Sequence, residues 1–303
     1  MIKNKIFITG INGQLGSMIA EKALRQNYEI IGCGTSDNLK ININNIKYIK
    51  LDITEPIKLK NYLYLEKPNI IIHCAAWTNV ESAEENNNKF SVFKLNTLST
   101  NYLAKISKEI NAKLIYISTD YVFDGNNNLP YKTTDYCNPI NHYGYTKYLG
   151  ELTIQNNSEK YFIIRISWLF GQKGKNFVDK IINNPNKELK VINDQFGTPT
   201  YTKDLSNFIL ELIQTDKFGI YHFTNWENEQ YISWYDFAKE INNQINLNKI
   251  IIPVSSNEFQ TKAKRPKNSK LNKEKILQEN FIKPQHWKNA LYQYLMENYG
   301  NNL

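Results

Sequence analysis

Near its start the chain reads Lys3-Asn-Lys-Ile-Phe-Ile-Thr-Gly10-Ile-Asn-Gly13-Gln-Leu-Gly16, a short apolar run that ends in three glycines spaced three residues apart. A pattern of helical periodicity over 15–26 follows directly. Glycines at this spacing permit a tight turn, close approach of the backbone to a pyrophosphate, and close packing of a helix on a strand. A diphosphate at that place would meet the free N–H groups of the helix N-terminus. A strand, a glycine turn and a helix in this order predict a nucleotide-binding βαβ unit.

Strands and helices alternate over the first half of the sequence. We predict strands at 3–9, 29–34, 46–52, 69–76, 113–118 and 161–166, and helices at 15–26, 56–67 and 89–110. The run at 69–76 is almost wholly apolar, as expected for a strand that is buried on both faces. Such alternation is typical of a parallel sheet covered by helices on both sides, and it predicts a doubly wound, Rossmann-type α/β fold.

The pattern becomes less regular after residue 167. Helices are predicted at 205–213, 234–245 and 285–298, a strand at 219–223, and loops at 183–185, 193–199 and 260–269. Asparagine clusters at 86–88 and 126–128 are interpreted as solvated turns. We therefore predict a dinucleotide-binding domain over 1–166 with a returning segment near 198–224. A smaller, less regular substrate domain would be formed by 167–197 and 225–303.

The composition argues against several classes of protein. The 303 residues include 13% aromatic residues, which is too many for a disordered chain. The net charge is +8, but only 3 of the 37 basic residues are arginine and no Lys/Arg block occurs, so no nucleic-acid partner is expected. No apolar run reaches the roughly 18 residues of a membrane span. No signal-peptide cleavage site is recognisable, and the three cysteines and four histidines are scattered. We expect a cytoplasmic protein without a metal or a membrane partner.

The residues after the second predicted strand bear on the choice of coenzyme. Thr35 and Ser36 are suited to a 2′-phosphate, whereas Asp37 is suited to a ribose 2′-hydroxyl, so both NADP and NAD stay open. After the third predicted strand, Asp52 and Ile53 are placed to meet the adenine edge. A helix-capping role for Asp52 is an equally good interpretation.

Two pairs of tyrosine and lysine stand four residues apart, the spacing that places both on one face of a helix. A lysine cation close to a tyrosine lowers the pKa of a phenol that otherwise titrates near about 10. Such a tyrosine can act as an acid or base in catalysis. Tyr143/Lys147 and Tyr235/Lys239 both match. The first pair is favoured, because Thr119 ends a predicted strand upstream and ligands of open α/β sheets bind beyond the carboxyl ends of strands. The second pair is interpreted as packing.

Seven segments, in order along nearly the whole chain, carry a resemblance to a known family. They are Gly13-Gln-Leu-Gly16, Ala75-Ala-Trp-Thr-Asn-Val-Glu-Ser-Ala-Glu84, Ser118-Thr-Asp-Tyr-Val-Phe-Asp-Gly125, Pro139-Ile-Asn-His-Tyr143-Gly-Tyr-Thr-Lys147-Tyr-Leu-Gly-Glu151, Arg165-Ile-Ser-Trp168-Leu-Phe-Gly171, Asp194-Gln-Phe-Gly-Thr-Pro-Thr200 and Arg265-Pro-Lys-Asn-Ser269. In these segments the chain resembles the dTDP-4-dehydrorhamnose reductase family of the extended short-chain dehydrogenase/reductase superfamily.

The resemblance implies a reaction and a set of site residues. Reduced nicotinamide, as NADPH or NADH, would reduce the C4 ketone of dTDP-4-dehydro-L-rhamnose to dTDP-L-rhamnose, with Tyr143 as the proton donor. Thr119 would hydrogen-bond the ketone oxygen, and Lys147 would tune Tyr143 and bind ribose. On the cofactor side the implied residues are Gly10, Asn12, Gly13, Gln14, Leu15, Gly16, Asp52, Ile53, Ala75, Ala76 and Asn96, together with Tyr143 and Lys147. On the substrate side they are Val80, Thr119, Asp120, Tyr121, Trp168, Asn176 and Arg265, with Asn176 and Arg265 towards the diphosphate.

Elimination is disfavoured at this point, and two alternatives to the reductase stay open. A dehydratase of this superfamily carries an acidic pair after the threonine, whereas Asp120 is followed here by Tyr121, which favours simple ketone reduction. A reductase or epimerase of another nucleotide-linked 4-keto-6-deoxy sugar is the nearest alternative. A regulatory subunit without turnover is disfavoured by the joint presence of Thr119, Tyr143 and Lys147. A homodimer is open too, because Ser17 and Met18 stand where some relatives place a metal-binding glutamate at a dimer contact.

Overall fold

The computed structural model describes residues 4–228 and 231–300, so Lys3 and the outer ends of the predicted domains lie outside the described residues. Its strands are β1 (Lys5–Thr9), β2 (Glu29–Gly34), β3 (Ile46–Lys50), β4 (Ile70–His73), β5 (Lys113–Thr119), β6 (Tyr161–Ile166), β7 (Leu169–Phe170), β8 (Glu188–Ile192), β9 (Phe196–Gly197), β10 (Thr200–Tyr201), β11 (Gly219–His222), β12 (Ile232–Ser233) and β13 (Ile250–Val254). Its helices are α1 (Gln14–Arg25), α2 (Pro56–Glu66), α3 (Val80–Ala83), α4 (Asn86–Phe93), α5 (Ser99–Glu109), α6 (His142–Asn157), α7 (Phe177–Ile182), α8 (Thr202–Leu212), α9 (Trp234–Gln244), α10 (Glu274–Gln278) and α11 (Trp287–Tyr299).

A seven-stranded parallel sheet forms the centre of the described chain, in the order β11-β6-β5-β4-β1-β2-β3. The chain winds outward in one direction from β1 through β3 and in the other from β4 through β6, so the winding reverses between β1 and β4. This is the doubly wound arrangement that the sequence predicted. Ligands of such sheets bind in the crevice where the strand order reverses.

The strands are apolar on both faces because helices cover both faces. In β1, Ile6 and Ile8 point into one core cluster and Phe7 into the other. The first cluster includes Ile19 of α1, and the second includes Leu103 of α5. All five side chains are fully buried. Burial on both faces explains why these strands appear in the sequence as continuous apolar runs.

The second half of the chain contributes one strand to the main sheet and builds a third core cluster. β11 pairs with β6 in parallel at the sheet edge. The third cluster lies between α7, α9 and α11, with Phe237 and Trp287 among its members. It also includes residues of β8 and β13, which form a separate two-stranded parallel pair. The exact domain boundaries stay a prediction.

Three local predictions differ from the structure. The asparagines at 86–88, expected in a solvated turn, begin helix α4. The helix expected at 89–110 is divided into α4, a π-helical turn at Lys94–Leu98, and α5. The loop expected at 193–199 contains the two-residue strand β9. Asparagine is common both in turns and in the first turn of a helix, so asparagine composition alone did not distinguish the two.

No helix within the described ranges combines the length and the apolarity needed to cross a lipid bilayer.

A buried ion pair joins α6 to β6. The carboxylate of Glu151 accepts hydrogen bonds from Arg165 Nη2 at 2.6 Å and Nε at 2.9 Å, and from Ser118 Oγ at 2.5 Å. Glu151 is 0% and Arg165 2% exposed. Removing one partner of such a pair leaves the other as an uncompensated buried charge.

We predict that Arg165→Met lowers the free energy of unfolding by about 3–5 kcal/mol, because the Glu151 carboxylate is left buried without its cation. Urea denaturation followed by circular dichroism measures this change. Lys108→Ala is the matched control, because Lys108 forms an exposed ion pair with Glu159 and its loss should hardly change the stability. If both variants lose similar free energy of unfolding, the buried pair contributes no more to stability than the exposed one.

Candidate active site

The glycine turn after β1 forms a cradle at the reversal point of the sheet. Gly10 has a φ of +66°, and a Cβ there would lie 2.9 Å from the backbone of Ala75. A Cβ on Gly16 would lie 2.5 Å from the carbonyl oxygen of Gly10. Helix α1 begins at Gln14, and its N-cap residue Gly13 provides no side-chain cap. The first-turn N–H groups of α1 are therefore free for an anion, and the cradle fits a dinucleotide pyrophosphate.

The loop after β2 is tied to the glycine turn. Asn12 accepts a hydrogen bond from the Lys40 N–H at 2.8 Å and donates one to the Asn38 carbonyl at 3.4 Å. Asp37 is exposed and pairs with Lys50 at 2.5 Å. The carboxylate that would favour a ribose 2′-hydroxyl thus already has a cation beside it.

Asp52 does not cap a helix. Its Oδ1 accepts a hydrogen bond from the Thr54 N–H at 2.9 Å, which closes a short turn. Helix α2 begins at Pro56, four residues after Asp52, and its N-cap residue Glu55 provides no side-chain cap. The capping interpretation was therefore wrong, and the adenine contact stays a prediction. Ile53 is buried in the second core cluster.

A buried histidine that the sequence did not single out supports the loop after β4. His73 Nδ1 lies 2.8 Å from Thr9 Oγ1, and His73 Nε2 lies 3.0 Å from Thr100 Oγ1. Thr9 Oγ1 in turn accepts a hydrogen bond from the Ala75 N–H at 3.1 Å. Burial lowers the pKa of His73 to about 3, so the ring is neutral at physiological pH. This chain of contacts holds Ala75 beside the glycine turn.

Asn96 connects the same loop to α6. It lies in the π-helical turn, a local widening that often occurs at functional sites. Its Oδ1 accepts from the Trp77 N–H at 2.8 Å, and its Nδ2 donates to Thr146 Oγ1 at 3.1 Å. Asn96 therefore holds the loop after β4, which is predicted to contact the cofactor, against α6.

The three predicted catalytic residues lie on two neighbouring elements, β5 and α6. Thr119 ends β5, and Tyr143 and Lys147 lie on one face of α6. A Cβ on Gly144 would lie only 2.1 Å from the Tyr121 carbonyl oxygen, so α6 begins in direct contact with the turn after β5. The ring centroids of Tyr143 and Tyr121 are 6.1 Å apart, with the rings nearly perpendicular.

The pKa of Tyr143 differs from the expectation, whereas that of Lys147 is lowered by burial. Burial lowers the pKa of Lys147 to about 7, although the negative charge of Glu151 opposes the shift. The Lys147 Nζ lies 3.9 Å from the centroid of the Tyr116 ring. Burial and the negative charge of Asp120 raise the pKa of Tyr143, although a hydrogen bond with Thr119 opposes this rise. The expected lowering of the Tyr143 pKa by Lys147 is not found, and Tyr143 is a protonated phenol that can serve as an acid.

The predicted substrate residues Trp168, Arg265 and Val80 have different surroundings in the structure. Trp168 adopts a φ of +50° and stacks on Trp234 with ring centroids 3.8 Å apart. Arg265 pairs with Glu81 of α3 at 2.5 Å, and its charge lowers the pKa of the neighbouring Tyr121, which burial raises. Val80 is the first residue of α3. Arg265 and Tyr121 thus lie close to the catalytic group, whereas Trp168 packs against the third core cluster.

Asn176 is occupied elsewhere. It is the N-cap of α7, and it is 5% exposed. Its Nδ2 donates to the Gly171 carbonyl at 3.0 Å, to Asp179 Oδ2 at 2.8 Å and to Tyr294 Oη at 3.2 Å. These contacts give Asn176 a helix-capping role, and the two hydrogens of its amide group are already used in them.

The second tyrosine–lysine pair, Tyr235/Lys239, lies on α9 against the third core cluster. Lys239 Nζ is 5.4 Å from the Tyr235 ring centroid. This placement agrees with the packing interpretation. Across the ranges 4–228 and 231–300 there is no group of three or more His, Cys, Asp or Glu side chains arranged to hold a metal ion.

A doubly wound parallel sheet, a glycine turn after β1, and a Thr119–Tyr143–Lys147 group beside the reversal point together define an extended short-chain dehydrogenase/reductase. Comparison with known proteins specifies the family. The model of the family described as RmlD substrate binding domain matches residues 4–299, and the chain belongs to this family.

Individual relatives agree with this assignment. The chain is 33% identical to the spore coat polysaccharide biosynthesis protein SpsK of Bacillus subtilis over 295 residues, 97% of each chain. It is 35% identical to a dTDP-4-dehydrorhamnose reductase of Aggregatibacter actinomycetemcomitans over 301 residues, 95% of this chain and 97% of the relative. Among solved structures, the dTDP-4-dehydrorhamnose reductase of Bacillus anthracis in complex with NADP is similar with a TM-score of 0.88 and 35% identity, covering 98% of this chain and all of the other.

We predict that Gly16→Ala raises the Kd for NADPH by roughly tenfold or more, because the new methyl group displaces the Gly10 carbonyl and distorts the cradle. Isothermal titration calorimetry measures the binding. Gly300→Ala is the control, since a Cβ there would meet only Met296 Sδ at 4.0 Å. Unchanged NADPH binding in Gly16→Ala, with a correct fold by circular dichroism, would place the coenzyme elsewhere.

Proposed function

We propose that the protein reduces the C4 ketone of dTDP-4-dehydro-L-rhamnose to the alcohol of dTDP-L-rhamnose, using NADPH or NADH. The observation that supports this most strongly is the meeting of Thr119, Tyr143 and Lys147 beside a cradle that fits a dinucleotide. The relatives named as dTDP-4-dehydrorhamnose reductases, and the NADP in one solved structure, support the substrate and the coenzyme.

Each catalytic residue has a separate task. The bound reduced coenzyme supplies the hydride that the ketone carbon accepts. Tyr143 gives its phenolic proton to the oxygen of that ketone, and the oxygen becomes a hydroxyl group. Thr119 hydrogen-bonds the same oxygen while negative charge develops on it. Lys147 binds the ribose hydroxyls and provides a positive charge near the phenolate that Tyr143 leaves behind.

The substrate would extend from the catalytic group towards the second half of the chain. Tyr121 and Trp168 present flat amphipathic rings that suit the faces of a sugar. Val80 adds apolar surface to the same wall. Arg265 is the candidate for the diphosphate, because a guanidinium matches the geometry of phosphate oxygens. In the structure its charge is paired with Glu81, so a diphosphate would compete with that carboxylate.

Asp37 and Lys50 bear on the choice of coenzyme. The charge of Lys50 beside Asp37 makes a 2′-phosphate acceptable near Thr35 and Ser36. We therefore expect NADPH to be used at least as well as NADH. The cytoplasm is the expected compartment, and a homodimer stays a prediction.

We predict that Tyr143→Phe lowers kcat by roughly 10²–10⁴-fold, because the ketone oxygen loses its proton donor. The assay follows oxidation of NADPH and of NADH with dTDP-4-dehydro-6-deoxyglucose and a 3,5-epimerase, which together generate the substrate. Tyr145→Phe is the matched control, because this tyrosine lies on the same helix but is 49% exposed. Calorimetry should show that both variants still bind NADPH.

The outcomes separate the alternatives. Sugar-dependent oxidation that disappears only in Tyr143→Phe supports the reductase. Coenzyme binding without oxidation of this sugar contradicts the proposed substrate. In that case, turnover of other nucleotide-linked 4-keto sugars would indicate the related reductase or epimerase, and turnover of none would indicate a regulatory subunit.

A further inference from the structure

Asp120 is a buried carboxyl group next to the catalytic threonine. It follows β5 directly and is 3% exposed. Thr119 Oγ1 donates to Asp120 Oδ1 at 2.9 Å and accepts from the Tyr121 N–H at 3.1 Å. The second carboxyl oxygen, Asp120 Oδ2, is buried and has no hydrogen-bond partner among the described residues.

The two arginines nearest the site do not neutralise Asp120, because they pair with other carboxylates. Arg165 pairs with Glu151, and Arg265 pairs with Glu81.

This contact determines where the hydroxyl hydrogen of Thr119 points. A threonine hydroxyl has one hydrogen, and an ionised carboxylate only accepts. While Asp120 is ionised, it takes the hydrogen of Thr119, and Thr119 then has none to donate to a substrate ketone. A protonated Asp120 carries a hydrogen of its own. It can donate to Thr119 Oγ1 and release the threonine hydrogen.

The charge of Asp120 also acts on the proton donor. Tyr143 faces Asp120 from α6, and the negative charge of Asp120 helps to raise the pKa of Tyr143. A higher pKa makes the phenol a weaker acid for protonating the ketone oxygen. Ionised Asp120 therefore opposes reduction in two ways, through Thr119 and through Tyr143.

The carboxylic acid form of Asp120 is accessible near neutral pH. Burial raises its pKa to about 6, while the nearby hydroxyl groups of Ser269 and Thr119 lower it. The titratable side chains that face it are Tyr121, next along the chain, and Tyr143 of α6. The charge of Arg265 acts on the neighbouring Tyr121, whose pKa it lowers.

We propose that Asp120 is a positioning residue that works as a carboxylic acid, donating to Thr119 so that the Thr119 hydroxyl can donate to the ketone oxygen. The inference rests on the proposed ketone reduction. Asp120 keeps its proton throughout, and the proton consumed comes from Tyr143. Asp120 thus couples the alignment of Thr119 and the acidity of Tyr143 to one protonation state.

The pH profile of kcat/KM tests this proposal. In the wild type, kcat/KM should fall as the pH rises through about 6, approaching tenfold per pH unit as Asp120 ionises. In Asp120→Asn the amide donates to Thr119 at every pH, so this fall should be absent. At about pH 8 the variant should be faster than the wild type. Deprotonation of Lys147 above about 7 slows both enzymes equally.

Two further variants and one control complete the test. Asp120→Leu removes the acceptor without supplying a donor, and it should also lack the fall near pH 6. Thr119→Val should lower kcat by roughly 10²–10³-fold at low pH, because one donor to the developing oxyanion is gone. Adding Asp120→Asn to Thr119→Val should cause no further change, because Asp120 then has no threonine hydroxyl to position. Asp124→Asn removes a carboxylate that bonds Tyr131 and Asn138, and it should keep the wild-type profile.

A second measurement follows the carboxyl group directly in the enzyme without substrate. Difference infrared spectroscopy should show a band of a protonated carboxyl group that disappears as the pH rises through about 6. This band should be missing from Asp120→Asn. If wild-type enzyme oxidises the coenzyme but Asp120→Asn and Asp120→Leu keep its pH profile, or are slower at every pH, the role of Asp120 is overturned. Absence of sugar-dependent oxidation in the wild type overturns the proposed function instead, and the infrared titration still reports on Asp120.

Discussion

The close contact between the start of α6 and the turn after β5 is the constraint on which the active site depends. A Cβ on Gly144 would lie 2.1 Å from the Tyr121 carbonyl oxygen, so only a residue without a side chain allows this approach. Asn141 holds the helix start in place: its Oδ1 accepts from the Gly144 N–H at 2.8 Å, and its Nδ2 donates to the Lys264 carbonyl at 2.9 Å. The same contact brings Tyr143 to Thr119 and attaches the second half of the chain to the site.

Buried hydrogen bonds and an ion pair between α6 and its neighbours restrict the position of this helix. Asn96 joins α6 to the loop after β4, and the Glu151–Arg165 pair joins α6 to β6. A buried polar group without a partner is costly, so each of these bonds restricts the positions that α6 can take. Asp120 Oδ2, next to the catalytic group, departs from this rule: it is buried and has no hydrogen-bond partner in the part of the chain that the structure describes. An unpartnered carboxyl oxygen at such a place is consistent with a group that works in its protonated form.

The main sheet was predictable because its strands are buried on both faces and are nearly continuous apolar runs. The pairing of β8 with β13 was missed, since both strands are half exposed and Pro253 interrupts the pattern of β13. In the site, Thr119, Tyr143 and Lys147 were predicted from residue types, spacing and family resemblance. His73 was missed, because a lone histidine in an apolar strand gives no sign of the two threonines that it contacts.

Local patterns in the amino-acid sequence were sufficient for the strands of the main sheet, the glycine turn and the helical face that carries Tyr143 and Lys147. These features depend on neighbours within a few residues, and their periodicity and spacing can be counted directly. Tertiary structure alone decided the protonation of Tyr143, the capping role of Asn176, and the contact between Thr119 and Asp120. Each of these depends on burial and on partners distant in sequence, such as Tyr294 for Asn176. Burial and distant contacts exist only once the chain has folded.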